Sequence, residues 1–322
     1  MNIKIKPLEI KHVDVLTEMA IQNYKLEKKH VSILKDMDNS YFSSKLHKLF
    51  SACIGNIAYE DDDIVGYLAF SVNAEYQYAK SPLYGYGIRH DKRGEIMSRL
   101  FQSTGATLGE RYCKNLYVNV YAHDIEVLQT YIMSAFVMDT TNVIRSTKLP
   151  IDAKMINYAF REIDKIELLN YKDDITQFYR SLINHLRASP IFYPCYEFLP
   201  IEERLNDFLS DDMRIFAAFD SARLVGMVAS EPSDIGIALE DTHAMNLSDI
   251  FVADDYRRSG IATSLLEFAS NELKKSGVER LFVTHGTINP AARGFWDKYF
   301  SNYSFSMSRQ INSDMLGVIQ KV

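Results

Sequence analysis

Residues 257–262 form the segment whose composition most favours chemistry, because small residues there join a short apolar strand to a helix. The segment and the residue after it read Arg257, Arg258, Ser259, Gly260, Ile261, Ala262 and Thr263. Small residues let backbone N–H groups face outward without side-chain cover, and the helix N-terminus behind them carries about half a positive charge. Such a turn predicts an anion-binding site, most naturally for a pyrophosphate.

The elements that position this turn occur twice in the chain. With a shift of 165 residues, that from Asp124 to Asn289, the two halves align without a gap over several positions. The matched pairs are Arg93 with Arg258, Ile96 with Ile261, Leu100 with Leu265, and Tyr131 with Trp296. Upstream, Gly66 corresponds to Gly226 with a slightly smaller shift. Two tandem domains of similar fold are the simplest explanation.

Each half is predicted to contain a hairpin, a strand, a long helix, a further strand and a second helix. The first half has these at 52–71, 84–88, 95–112, 116–121 and 126–135, after a strand at 2–7 and a helix at 13–25. The second has them at 213–230, 246–252, 261–276, 280–285 and 291–299, after a strand at 157–163 and helices at 174–187 and 201–209. The expected fold class is α/β (α+β), with a mixed, mostly antiparallel sheet flanked by helices in each domain. We expect domains at 1–148 and 149–322.

Over roughly 157–310 the chain resembles the GNAT superfamily of N-acetyltransferases. One shared motif is Arg257-x-x-Gly260-x-Ala262, which follows a strand with the sequence Asp-Ile-Phe-Val. The other begins at Asn289 and continues with Ala292, Phe295 and Trp296. The resemblance implies a GNAT-like fold in both halves and acetyl-CoA as the cofactor. It also implies direct transfer of the acetyl group to an amine in a ternary complex.

The resemblance implies a set of residues that bind coenzyme A. They are Ile250, Phe251, Val252, Arg257, Arg258, Ser259, Gly260, Ile261, Ala262, Thr263, Asn289 and Trp296. The pantetheine arm would lie between the fourth and fifth strands of the domain and pair with the fourth like an added strand. A backbone N–H near Val252 would receive the thioester carbonyl and its developing oxyanion.

Acetyl transfer also needs a base for the amine proton and an acid for the leaving thiolate. Asp249, on the fourth strand, is the expected base, and the alternative is a carboxylate satisfied at the strand edge. The family commonly has a tyrosine acid where this chain has Trp296, and an indole N–H is too weak an acid to replace a phenol. Tyr299 is therefore the expected acid, with Tyr303 and unassisted release of the thiolate as alternatives.

The first half departs from the phosphate-binding motif. Glu95 stands where the second half has Gly260, and Met97 stands where it has Ala262. A carboxylate at that place would repel the phosphates and fill their space. We therefore interpret residues 1–148 as a degenerate copy and place the chemistry in residues 149–322.

Composition limits the partners, metals and cellular location to be expected of the protein. The chain has 322 residues, and 47% of them are hydrophobic, enough for two buried cores. A net charge of −6 argues against a nucleic-acid partner. Cys53, Cys113 and Cys195 are widely spaced and form no metal motif, so no metal is expected. The absence of a signal peptide or membrane span in the sequence predicts a cytoplasmic protein.

The acceptor is expected to be a small-molecule or peptide amine. Phe192 and Tyr193, in an aromatic and Pro-rich segment between two predicted helices, are the expected substrate contacts. A donor with a longer acyl chain is an alternative to acetyl-CoA, and the chain could assemble into a homodimer. The alternative function is a non-catalytic acyl-CoA-binding or regulatory protein, which Trp296 at the usual acid position motivates.

Overall fold

A computed structural model of the chain describes residues 2–188, 201–210, 212–232, 237 and 241–312, without the side chains of residues 201, 202 and 249. The chain forms two compact units. The first runs to Asn142 and resumes at Asn302, and the second spans Val143–Ser301. The two-domain division expected at residue 148 stays a prediction.

Six strands and four helices precede the second unit. They are β1 (Ile3–Pro7), α1 (Val13–His30), α2 (Asn39–Phe50), β2 (Cys53–Glu60), β3 (Asp63–Asn73), β4 (Tyr78–Ser81), β5 (Tyr86–Ile88), α3 (Arg93–Glu110), β6 (Asn115–Tyr121) and α4 (Ile125–Met133). Strand β7 (Val137–Ser146) crosses the boundary between the units in the sequence. The second unit then contains β8 (Ala159–Ile163), α5 (Lys165–Leu169), α6 (Lys172–Ala188), α7 (Ile201–Phe208), β9 (Arg214–Asp220), β10 (Arg223–Glu231), β11 (Ala244–Val252), α8 (Ile261–Lys275), β12 (Arg280–Gly286) and α9 (Pro290–Trp296). Strand β13 (Ser301–Gln310) follows.

In the first unit the strands lie in the order β1-β2-β3-β4-β6-β13, and β5 pairs with β3. All these pairs are antiparallel except β4 with β6. Strand β13 pairs with β6 from Ser304 opposite Tyr121 to Gln310 opposite Asn115. The last described strand of the chain therefore completes the sheet of the first unit, which the sequence patterns did not predict.

In the second unit the strands lie in the order β12-β11-β10-β9-β8, and only the β11–β12 pair is parallel. One face of the sheet carries α8, whose buried Leu265, Ala269 and Leu273 recur at helical spacing. The other face carries α6 and α7 through residues such as Phe178 and Phe208. Burying one such large apolar side chain contributes about 1.5–3 kcal/mol. The mixed α/β fold class expected from the sequence is confirmed.

The matched glycines of the repeat have the same packing role in each unit. A Cβ at Gly66 would lie 2.8 Å from Cγ2 of Ile96, and one at Gly226 would lie 3.1 Å from Cγ2 of Ile261. Each glycine thus lets the long helix pack closely on the hairpin strand beside it. The expected alignment of the two halves is reproduced in three dimensions at these positions.

Helix α2 is the largest element that the patterns did not predict. Asp38 caps it by accepting a hydrogen bond from the Tyr41 N–H at 2.9 Å, and Phe42, Leu46 and Leu49 are buried along one face. A capping residue before apolar residues at helical spacing was the available signal. Among the described residues, no helix is long and apolar enough to span a bilayer.

Candidate active site

Strands β11 and β12 separate partway along their length. They pair only from Ala244 to Asn246 on β11, opposite Arg280 to Phe282 on β12, although both strands continue beyond that point. A cavity of 790 Å³ lies where they part. It is lined by residues of β11 and β12, by α6, and by the first turns of α8 and α9. We call the space between 247–253 and 283–286 the β11–β12 cleft.

A β-bulge in β11 lies where the strands separate. Val228 of β10 is opposite Ile250, but Ser230 is opposite Leu247, so two residues of β11 face a single residue of β10. A bulge of this kind bends its strand and increases the local twist. It lies just past the last β11–β12 pair and accounts for the separation of the two strands.

The bulge is followed by backbone N–H groups that point into the cleft. Ala253 donates its N–H to the Val225 carbonyl at 2.9 Å, one position beyond the last pair of the β10–β11 ladder, in which Gly226 is opposite Val252. Hydrogen-bonded and non-bonded pairs alternate in an antiparallel ladder. The N–H groups of Val252 and Ile250 therefore point away from β10, toward the cleft.

The turn after β11 has the backbone conformation that an anion site requires. Arg258 and Gly260 both have positive φ, at 63° and 95°. A Cβ at Gly260 would meet only Ile156 among the described residues, at 3.6 Å. Glycine is therefore needed here for its backbone conformation, and not because neighbouring protein atoms crowd the position.

The first turn of α8 has no side-chain cap. Its first helical hydrogen bond runs from the Ser264 N–H to the Gly260 carbonyl at 3.1 Å. The N–H groups of Ile261, Ala262 and Thr263 precede that bond, so no carbonyl of their own helix accepts from them. Three outward N–H groups at a helix N-terminus are suited to a phosphate.

Side chains around the turn connect it to α6. The Arg257 guanidinium lies 2.8 Å from the Asp254 carboxylate, which also accepts a hydrogen bond from Ser181 of α6 at 3.1 Å. The Ser259 hydroxyl donates to the Tyr256 carbonyl. The Tyr256 hydroxyl donates to Asp220, and this bond raises the pKa of the phenol. Arg258 is exposed.

Asn289 is the N-cap residue of α9 and lines the cavity. Its Oδ1 accepts hydrogen bonds from the Ala291 N–H at 3.1 Å and from the Ala292 N–H at 3.3 Å. Nε2 of His185 lies 3.4 Å from the same oxygen. Asn289 is buried, and this double capping fixes the orientation of its amide.

The structure brings most of the expected coenzyme A residues together. Those lining the cavity are Ile250, Phe251, Val252, Arg257, Ala262, Asn289 and Trp296. Those on the adjoining turn and first helical turn are Arg258, Ser259, Gly260, Ile261 and Thr263. The Ile261 side chain is buried against the sheet, so only its backbone faces outward. Trp296 is buried and packs edge-on against Phe295 and Phe300.

Only part of the expected proton-transfer and substrate set lies within the described residues. Tyr299 does not line the cavity, and its hydroxyl lies 3.2 Å from the Thr263 hydroxyl. Tyr303 belongs to the first unit, where burial raises the pKa of its phenol. Asp249 lies at the bulge, but its side chain is outside the description. Phe192 and Tyr193 lie outside the described residues.

The sequence patterns missed the contribution of α6 to the cavity. Four polar residues of this helix line it: Asp174, Gln177, Ser181 and His185. Their spacing of three or four residues places them on one helical face. That spacing was a signal for a polar face, but nothing local in the sequence indicates that the face covers a cleft.

In the first unit, the segment that corresponds to residues 258–260 is helical and hydrogen-bonded to other residues of that unit. Helix α3 begins at Arg93, so the three residues that match Arg258 to Gly260 are already helical. The Gly94 N–H donates to a Glu126 carboxylate oxygen at 3.0 Å. Glu95, expected to fill the phosphate space, instead pairs with Arg99 at 3.0 Å. The turn therefore has a second carboxylate, that of Glu126, bonded to its backbone, and the blocking role expected of Glu95 stays a prediction.

A smaller cavity of 250 Å³ lies beside this turn in the first unit. Glu27, on α1, accepts hydrogen bonds from the backbone N–H and Nδ1 of His123, and the His123 ring stacks on His30 at 4.3 Å. Burial raises the pKa of the Glu27 carboxyl, and the bonds from His123 only partly oppose it. In the described ranges, no group of three His, Cys, Asp or Glu residues is arranged to hold a metal ion.

Comparison with known proteins finds one matching family model and several similar solved structures. Residues 180–301 match the sequence model of the Acetyltransferase (GNAT) family. A GCN5-related N-acetyltransferase from Sphaerobacter thermophilus has a similar structure, with 12% identity, a TM-score of 0.56, and 96% of this chain and 95% of that chain covered. This similarity concerns the fold alone. No curated protein matches the chain.

Two further solved structures have lower TM-scores. A tandem GNAT protein from the clavulanic acid biosynthesis pathway has 11% identity and a TM-score of 0.45, with 96% of this chain and 98% of that chain covered. A GNAT-family acetyltransferase from Colwellia psychrerythraea has 16% identity and a TM-score of 0.46, with 96% and 100% covered.

Proposed function

We propose that this chain, whose residues 180–301 form a GNAT-family domain, is an acetyl-CoA-dependent N-acetyltransferase that transfers acetyl directly to an amine. The separation of β11 from β12 carries the proposal. It opens one edge of β11 to an extended ligand and leads to the uncapped N-terminus of α8. An acyl-CoA has the matching parts, an extended amide-bearing arm and a pyrophosphate.

The phosphate end of the donor fits the turn before α8. The N–H groups of Ile261, Ala262 and Thr263 would hold the pyrophosphate, with support from the helix dipole. Arg257 and Arg258 add positive charge beside them. The left-handed conformation of Gly260 sets the direction of these N–H groups. No other turn described in the second unit combines these features.

The pantetheine arm fits the exposed edge of β11. N–H groups of Ile250 and Val252 point into the cleft and would pair with the arm as an added strand does. One of them would receive the thioester oxygen as negative charge develops on it. Asn289, on the opposite side of the cleft, would hydrogen-bond the arm.

The acceptor would enter from the side of α6. Within the described part of the cavity the charged residues are Asp174, Asp254, Asp255, Arg223 and Arg257, along with two histidines. The excess of carboxylates favours a cationic acceptor such as an alkylammonium group. Because donor and acceptor would share one cavity of 790 Å³, direct transfer in a ternary complex is the simplest reaction. The roles of Asp249 as base and Tyr299 as acid stay predictions.

Thermal shift with acetyl-CoA tests the donor site. A ligand at 100 times its Kd should stabilise the protein by about 2.7 kcal/mol. Gly260→Glu should abolish this stabilisation, because the carboxylate repels the phosphates. Gly277→Glu is the matched control, since Gly277 also has positive φ, at 88°, but follows the C-terminus of α8. Equal ligand shifts in the two variants would show that the donor site lies elsewhere.

Release of free thiol from acetyl-CoA tests catalysis. The wild-type protein would be incubated with a panel of amines that includes glucosamine, spermidine, tyramine, lysine and a peptide with a free N-terminus. Thiol release that depends on one amine would support the enzyme. Saturable acetyl-CoA binding without turnover on any amine would favour a non-catalytic acyl-CoA-binding protein.

A further inference from the structure

We propose that His185 takes the proton from the acceptor amine during acetyl transfer. This inference rests on the proposed function, and it names a residue that neither the resemblance nor the comparisons assign. His185 lies near the C-terminal end of α6 and lines the cavity that also contains the β11–β12 cleft. It is half-buried, so the imidazole is shielded from solvent but open to a molecule in the cavity.

The contact with Asn289 fixes which nitrogen of His185 can act as a base. Asn289 Oδ1 already accepts hydrogen bonds from the Ala291 and Ala292 N–H groups, so this atom is the carbonyl oxygen of the amide. A carbonyl oxygen can only accept. Nε2 of His185, 3.4 Å away, is therefore placed to donate its hydrogen to this oxygen when the imidazole is neutral. In that tautomer Nδ1 carries the lone pair.

The same contact would support the charged form of His185. When Nδ1 takes a proton the ring becomes an imidazolium, and the Asn289 oxygen continues to accept from Nε2. A base that is oriented by a third group is the usual arrangement in proton-transfer sites. Asn289 also lines the cavity. It would therefore contact both the proposed base, His185, and the pantetheine arm of the donor.

The other ionisable groups of the cavity are worse candidates. Asp254 is paired with Arg257, and Asp255 is paired with Arg223 at 3.0 Å. Asp174 lies eleven residues before His185, about 16 Å away along the helix axis. Among the cavity-lining side chains that the structure describes, these pairings and this distance leave the two histidines as candidates for the base. Asp249, whose side chain lies outside the description, is the other candidate.

His285, on β12, is the competing histidine. Its side chain is only 4% exposed, and its Nε2 makes no hydrogen bond with a described residue, although an Asp297 carboxylate oxygen lies 3.4 Å away. Its Nδ1 lies 3.3 Å from the Gly286 carbonyl. His285 also lines the cavity, but with so little of its side chain exposed it is less open to an acceptor than His185.

The proposed step conserves atoms and charge. The acceptor reacts as the neutral amine, its nitrogen attacks the thioester carbon, and the new C–N bond forms as one N–H proton passes to Nδ1 of His185. The C–S bond then breaks, and the thiolate takes one proton from solvent. The imidazolium returns its proton to solvent, so the products are the amide and the free thiol.

His185→Gln tests the step, because glutamine can still donate to Asn289 but cannot accept the amine proton. With the amine that gives turnover in the panel, kcat should fall by about 10²–10³-fold. The pH dependence of kcat should change, while the acetyl-CoA thermal shift stays as in the wild type. His243→Gln is the matched control, since His243 is exposed and does not line the cavity.

A second readout does not depend on turnover. Nitrogen-15 NMR of labelled histidine should show the hydrogen of neutral His185 on Nε2, and Asn289→Ala should shift the resonances of this ring. Unchanged kcat and an unchanged pH profile in His185→Gln would overturn the proposal while leaving the proposed function intact. A fall in kcat and a changed pH profile in His285→Gln or Asp249→Asn, but not in His185→Gln, would move the base to that residue. A wild-type protein that binds acetyl-CoA but turns over no amine would overturn both proposals.

Discussion

The Arg93 guanidinium donates two hydrogen bonds to the Asp124 carboxylate, at 2.9 and 2.5 Å. By the repeat, these residues correspond to Arg258 and Asn289 of the second unit, where both border the candidate active site. In the first unit the same positions bond to each other. Burial alone would lower the pKa of Arg93, but the hydrogen bonds and charge of Asp124 outweigh it and raise this pKa. In the first unit an ion pair therefore occupies the two positions that border the candidate active site in the second unit.

Asp124→Asn should destabilise the protein by about 3 kcal/mol. The substitution leaves the largely buried Arg93 charge without its partner, which is the costly way to break a buried pair. The free energy of unfolding in urea would measure the effect. Asp255→Asn breaks the exposed pair with Arg223 and should change stability little, because solvent screens that pair. Equal effects in both variants would contradict a structural role for the Arg93–Asp124 pair.

Glu95→Gly should not restore acetyl-CoA binding to the first unit. The Gly94 N–H would still be bonded to Glu126, so it could not face a phosphate. The measurement is a thermal shift with acetyl-CoA in the double variant Gly260→Glu/Glu95→Gly, in which the second unit no longer contributes. A shift equal to that of the wild type would mean that Glu95 alone had blocked the site.

Asn289→Ala should weaken acetyl-CoA binding and also destabilise α9. Loss of an N-cap side chain costs about 1 kcal/mol. Asp164→Ala is the matched control, because Asp164 caps α5 by accepting from the Glu167 N–H at 2.8 Å and lies outside the cavity. Both variants should lower stability, but only Asn289→Ala should raise the Kd of acetyl-CoA in calorimetry. Equal Kd values would remove Asn289 from the donor site.

Glu27→Gln should be more stable relative to the wild type at pH 7 than at pH 5. Burial raises the pKa of Glu27 above the ordinary value of 4.5, so the folded state disfavours the ionised carboxylate. A raised carboxyl pKa destabilises the fold above that pKa, and the penalty disappears as pH falls through it toward 4.5. Urea unfolding of both proteins at several pH values measures the difference. A difference that does not vary with pH would contradict this assignment.

Small residues around Gly260 were sufficient to predict the anion-binding turn. The family resemblance singled out Asn289, and its capping of α9 became apparent only in the structure. The repeat was also visible in the sequence, because helices and strands have different apolar periods and the two halves show these periods in the same order. These signals, with the resemblance, named most of the residues that border the β11–β12 cleft, but they did not indicate that α6 lies beside it.

Only the tertiary structure decided how the cleft opens and which residues surround it. The bulge in β11 becomes apparent only from its register with β10, and the contact of His185 with Asn289 joins residues 104 positions apart. The Glu126 carboxylate accepts from the Gly94 N–H across 32 residues, and β13 pairs with β6 of the first unit. Such pairings depend on chain segments far apart in sequence, so no local pattern records them.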